Sequence, residues 1–137
     1  MPDRYALALQ KGLVTSLKAD AGVAALVGDR VYDEPPQAAT RPYVRIGAIE
    51  PRPFRTDCGS AARVTFGIEV YSRPNSGRVE CTQCAEAIVD ALDEQEGSVT
   101  VENYTLTSLQ WATQTVGRDS DGQSYTGIIA FNAIIDG

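Results

Sequence analysis

Cys81-Thr82-Gln83-Cys84 has the spacing of a dithiol redox pair or of half a zinc site. A redox pair works best where a helix opens, because the helix dipole there stabilises a thiolate, and a structural zinc needs about four ligands. The only other cysteine is Cys58, and the chain contains no histidine. The two thiols also recur at helical spacing with Ala85, Ile88, Ala91 and Leu92, so their positions favour packing. Without histidine the commonest general base is missing, and so are the Ser-His-Asp and Cys-His arrangements. Carboxylates remain, but Glu80, Glu86, Asp90 and Asp93 fall on the solvent side of the same helix, with nothing local to separate their pKa values. Asp119-Ser120-Asp121-Gly122 opens like a calcium loop, yet Tyr125 and Thr126 stand where ligands should continue, and a hairpin turn fits better. The 12 glycines form neither a dinucleotide-binding nor a Walker pattern. No catalytic residue, metal or cofactor is expected; a small thiol- or metal-dependent enzyme is the competing class.

The elements that would position these residues centre on Arg63–Leu92. Val64, Phe66, Ile68 and Val70 alternate with Arg63, Thr65, Gly67, Glu69 and Tyr71, which predicts a strand with one wet face. Arg73 to Gly77 supplies a turn, and the cysteine-bearing helix follows, ending near Gly97. Upstream, Ala6, Leu9, Leu13 and Leu17 make a stripe on a helix over Arg4–Lys18. Asp20 can cap a short second helix that Gly28 closes. Arg30–Tyr32 is a brief extended piece at an edge or in a loop, stopped by Pro35 and Pro36, and Arg41–Gly47 is a strand. Glu50–Ser60, with two prolines, a glycine and only Phe54 and Cys58 as apolar anchors, reads as a surface loop. Ser98–Glu102 is expected as a short strand. In Tyr104–Val116 the alternation slips, which places a bulge near Thr107 or Ser108. Gly117–Gln123 is a hairpin loop and Tyr125–Ile135 a last strand, apolar on both sides and therefore expected to be covered on both. The fold class is α+β: a mainly antiparallel sheet with two N-terminal helices and one inserted helix packed on it.

Composition sets wider bounds. A chain of 137 residues suits one domain, 1–137, and buries about two thirds of its unfolded surface. Hydrophobic residues at 43 % and charged residues at 22 % are ordinary for a globular protein, and no apolar run approaches a membrane span. No basic segment followed by an apolar core opens the chain, so no signal peptide and a cytosolic site of folding are expected. Three cysteines, an odd count, fit reduced thiols. A net charge of −6 with a pI near 4.6 opposes a nucleic-acid footprint. For partner contacts the candidates are the arginine and aromatic cluster Arg52, Phe54 and Arg55, the tryptophan Trp111, and the loop residues Arg118, Asp119 and Asp121. Trp111 fits a half-buried sheet position as well as an interface anchor.

LQKGLVTSLKADAGVAALVGDRVYDEPP, then RPYVRIG, then VTFGIEVYSR and EAIVDALD, in that order and spacing, resembles the phage tail completion and tail terminator proteins, which also occur in prophages and gene transfer particles. The resemblance runs from about Leu9 to Leu92. It implies a compact virion structural protein, assembled in the bacterial cytoplasm. Copies would form a homo-oligomeric ring, expected to be a hexamer, on the head-proximal end of a tail tube. The ring would end tube growth and present the surface for head-tail joining. The implied partners are the tail tube protein and the head-tail connector or head completion protein. DNA would pass through without specific binding, and acidic groups facing the channel would repel it. The alternative within this class is a head-completion or connector adaptor. Members often carry a histidine before the central strand; here that stretch is Ser60, Ala61, Ala62 and Arg63.

Overall fold

The computed structural model describes residues 4–56 and 59–137. Element order is α1 (Tyr5–Ala19), α2 (Ala21–Val27), β1 (Val31–Tyr32), β2 (Tyr43–Thr56), β3 (Gly59–Tyr71), α3 (Gly77–Leu92), β4 (Thr105–Arg118) and β5 (Tyr125–Asp136). The five strands form one sheet in the order β1-β2-β3-β5-β4, antiparallel except for the β1–β2 pair. The fold is α+β, with the three helices on one face of the sheet. None of its helices is long and apolar enough to cross a membrane among the described residues.

The core follows from periodicity. α1 buries Tyr5, Leu9, Leu13 and Leu17, each four residues from the last, with Gly12 beside them. The sequence stripe lacked Tyr5 and Gly12, and its Ala6 is only half-buried. Asp20 caps α2 as expected, its Oδ2 accepting from the Val23 amide at 3.0 Å, and Gly28 closes the helix at φ 64°. α3 buries Cys81, Cys84, Ala85, Ile88 and Leu92. From β3 come Val64, Phe66, Ile68 and Val70, and from β5 Ile129, Phe131, Ala133 and Ile135. Phe66 and Phe131 face each other across the β3–β5 ladder with ring centroids 5.4 Å apart and planes 14° from parallel.

Four expectations are corrected. Glu50–Ser60 is not a loop: β2 continues to Thr56 and β3 resumes at Gly59, in register from Glu50 opposite Thr65 to Thr56 opposite Gly59. Pro51 and Pro53 are tolerated because β2 has no outer neighbour beyond Arg45, so their missing N–H groups leave no ladder bond unmade. Asp57 and Cys58 lie outside the described residues. α3 stops at Leu92 rather than near Gly97, with Glu94 taking the left-handed conformation at φ 58°. Ser98–Glu102 is irregular chain rather than strand; Val99 and Val101 are both buried and so imitate strand alternation. Finally, β5 is covered on one side only, since Ile128 is 49 % exposed and Ile134 only half-buried. The bulge expected near Thr107 or Ser108 lies between Leu106 and Ser108, and a second falls between Trp111 and Thr113.

Candidate interaction surfaces

Cys81 and Cys84 both lie buried in the core, on the sheet-facing side of α3. Burial, reinforced by the Glu80 carboxylate, pushes both thiols up to about 11. Among the described residues no three potential ligands gather around a common point. Cys81→Ser and Cys84→Ser are each expected to cost about 1–2 kcal/mol, since a hydroxyl would replace an apolar contact in the core. Chemical denaturation measures this; bound zinc lost along with either thiol would sink the packing reading.

The sequence candidates separate into three places. The first is the β2–β3 hairpin. Arg52 Nε donates to Glu50 Oε1 at 2.7 Å, an exposed pair of little energetic weight. Phe54 is half-buried beneath the Arg63 guanidinium, which stacks 5.4 Å from its ring centroid. Arg55 is exposed and has no carboxylate partner among the described residues.

The second is the β4–β5 turn, where Arg118, Asp119 and Asp121 serve the turn itself. Asp121 Oδ1 accepts from the Gln123 and Ser124 amides at 2.8 and 2.9 Å, and Oδ2 accepts from Ser124 Oγ at 2.7 Å. Arg118 donates to the Gly122 carbonyl at 3.1 Å. From the β2 entry, 78 residues away, Arg41 Nη1 reaches Ser124 Oγ at 2.8 Å, the Ser72 carbonyl at 3.3 Å and Asp119 Oδ2 at 3.4 Å. Local sequence reading missed Arg41 because nothing near it in the chain marks its partners. Burial alone would raise the Asp119 pKa, but the Ser120 amide and Arg41 outweigh it and hold it below the usual range.

The Ser124 and Gln123 amides hold Asp121 down at about 2. An unfolded aspartate titrates near 3.9, so the depressed folded value makes this stabilisation complete above roughly pH 4 and lost as pH falls towards 2. The Gln123 and Ser124 amide resonances should therefore shift across that window and not between pH 5 and 8. A transition near pH 5 would refute the assignment.

The third place is the far edge of the sheet. Trp111 is 45 % exposed on the helix side of β4, in a groove it shares with Gln114 and with Glu86, Val89 and Asp90 of α3. It is thus an exposed sheet-edge residue, and its neighbours could not be read locally because β4 and α3 meet only through the tertiary fold. The opposite, helix-free face carries Tyr43, Arg45, Arg63, Thr65, Asn132 and Ile134, and a depression there is lined by Arg52, Arg63 and Gln110 among others.

These surfaces belong to a recognisable kind of subunit. A chain from the virion of a native gene transfer agent particle superposes with a TM-score of 0.88 at 28 % identity, covering 99 % of this chain and 100 % of that one. The bacteriophage SPP1 gp17 protein superposes with a TM-score of 0.58 at 25 % identity, covering 93 % of this chain and 88 % of that one. No curated protein sequence matches. A family model for tail completion protein gp17 matches residues 11–136, from within α1 to the last residue of β5. The resemblance read from the sequence therefore holds, and the chain belongs to the tail completion protein gp17 family, structural proteins of phage-type tails.

Proposed function

We propose that residues 1–137 act as one tail completion unit, six copies of which form a ring on the head-proximal end of a phage-like tail tube. The ring ends tube polymerisation and offers the surface on which the head docks. It contacts the tail tube protein on one side and the connector or head completion protein on the other, and DNA passes through without specific binding. The observation that carries this reading is the match, over its full length, to a chain found in the virion of a gene transfer agent particle. Assembly in the bacterial cytoplasm is part of the same proposal.

Light scattering on the purified protein, with negative-stain images, is the test. Rings of about six subunits, or capped ends when purified tails are added, support the reading. Binding to DNA-filled heads with none to tails would favour a connector adaptor instead. Shortening the β2–β3 tip or the 119–123 turn should block head-to-tail joining in subunits that still fold. Normal joining by both variants would remove these loops from the interface.

A further inference from the structure

In the order β1-β2-β3-β5-β4, Phe54 and Arg55 lie on β2 beyond its short pairing with β1, at one edge of the sheet, with Arg63 of β3 stacked on Phe54, and Trp111 lies on β4, the strand at the other edge. A contact between two different patches of identical chains is heterologous, and repetition closes it into a ring when the rotation allows. The two sides are complementary in charge. Arg55 and Arg63 have no carboxylate partner among the described residues, and neither Glu86 nor Asp90, which flank the groove, has a cation. They are also complementary in kind: Phe54 with its stacked arginine on one side, exposed Trp111 over half-buried Val89 on the other.

Strand-to-strand continuation of the sheet between copies is interrupted at both edges. On β2 the backbone of Val44 points outward, where its N–H donates to the Arg30 carbonyl. The register shift between Ile46 and Ile49 gives that outward position to Pro51 and Pro53, which have no N–H to offer. On β4 the Trp111 amide is taken by Asp93 Oδ1 at 2.9 Å and the Leu109 carbonyl by the Glu94 amide at 2.8 Å. This favours a contact made by side chains.

Resting on the ring reading above, we infer that neighbouring copies meet edge to edge, with the Phe54, Arg55 and Arg63 end of one hairpin seated against Trp111, Glu86 and Asp90 of the next copy. The pairing is polar at its rim and aromatic at its centre, so it weakens as salt rises.

Two charge-reversed variants test this: Arg55→Glu with Arg63→Glu on the hairpin, and Glu86→Arg with Asp90→Arg on the groove. All four side chains are exposed, so unchanged circular dichroism and melting are expected. Light scattering gives the ring fraction, and where wild-type subunits assemble only on tails, capped ends are counted by negative stain. Each variant alone should need about tenfold or more higher concentration to reach half assembly. An equimolar mixture should recover wild-type assembly, because each hairpin then meets an oppositely charged groove around an even-numbered ring. Wild-type rings from either variant alone, or a mixture that stays unassembled, would overturn the contact and leave the ring standing. A wild-type chain that forms no ring, free or on tails, would overturn the ring and this contact with it.

Discussion

Phe66→Ala should lower stability by about 3–5 kcal/mol, the range for deleting a large aromatic side chain from a packed core. For a chain of this size that corresponds to a drop in Tm of roughly 10–15 °C. Phe66 is 1 % exposed and its ring lies parallel to Phe131, itself fully buried, in the strand pair at the middle of the sheet. Removing one ring strips the other of its stacking partner and leaves a void under the helices. Phe66→Leu keeps most of the volume and should cost less than about 1.5 kcal/mol. Urea denaturation of the two variants checks the ordering, and a loss below about 1 kcal/mol for Phe66→Ala would show that the core collapses around the gap.

A helical glycine invites the opposite experiment, and the outcome should surprise anyone who reasons from propensity. Alanine is favoured over glycine inside a helix by about 1 kcal/mol, so Gly12→Ala in α1 would stabilise an isolated helix. Here a Cβ at position 12 would stand 2.2 Å from the Thr100 carbonyl oxygen, with the Thr100 carbonyl carbon next at 3.2 Å. Backbone cannot rotate away as a side chain can, so α1 or the 93–104 connection must move. A net loss of about 2–3 kcal/mol is expected, at the upper end for overpacking. Gly97→Ala is the control: nothing lies within 4 Å of its added Cβ, and its stability should be unchanged or slightly improved. Equal melting temperatures for the two variants would mean that α1 does not rest on Thr100.

What could be read from the sequence was whatever depends on near neighbours in the chain. The stripes of α1 and α3, the alternation of β3, the Asp20 cap and the Leu106–Ser108 bulge each declare themselves within a few residues. What could not be read depends on position in the finished sheet. Pro51 and Pro53 signal a loop until β2 is known to be an edge strand, where two absent N–H groups cost nothing. Val99 and Val101 alternate like a strand because both dip into the core from irregular chain. Ile128 and Ile134 look like a second buried face because the local pattern cannot say whether a covering layer comes from the same chain. The candidate residues divide in the same way. Arg52, Phe54 and Arg55 could be named from composition, whereas the setting of Trp111 beside Glu86 and Asp90, and the tie from Arg41 to the β4–β5 turn, exist only once distant segments are brought together.

The capped edges bear on a hazard that any abundant β-rich protein faces. A long uncharged strand such as Thr105–Val116, rich in threonine and free of proline, is the sort of sequence that templates cross-β fibrils when its backbone lies open. Asp93 and Glu94 occupy that backbone at its middle, and the two prolines deny the other rim a partner. The middle of β4 and the proline-bearing stretch of β2 thus offer an incoming strand few free backbone groups, which lowers the tendency of folded chains to add strand to strand.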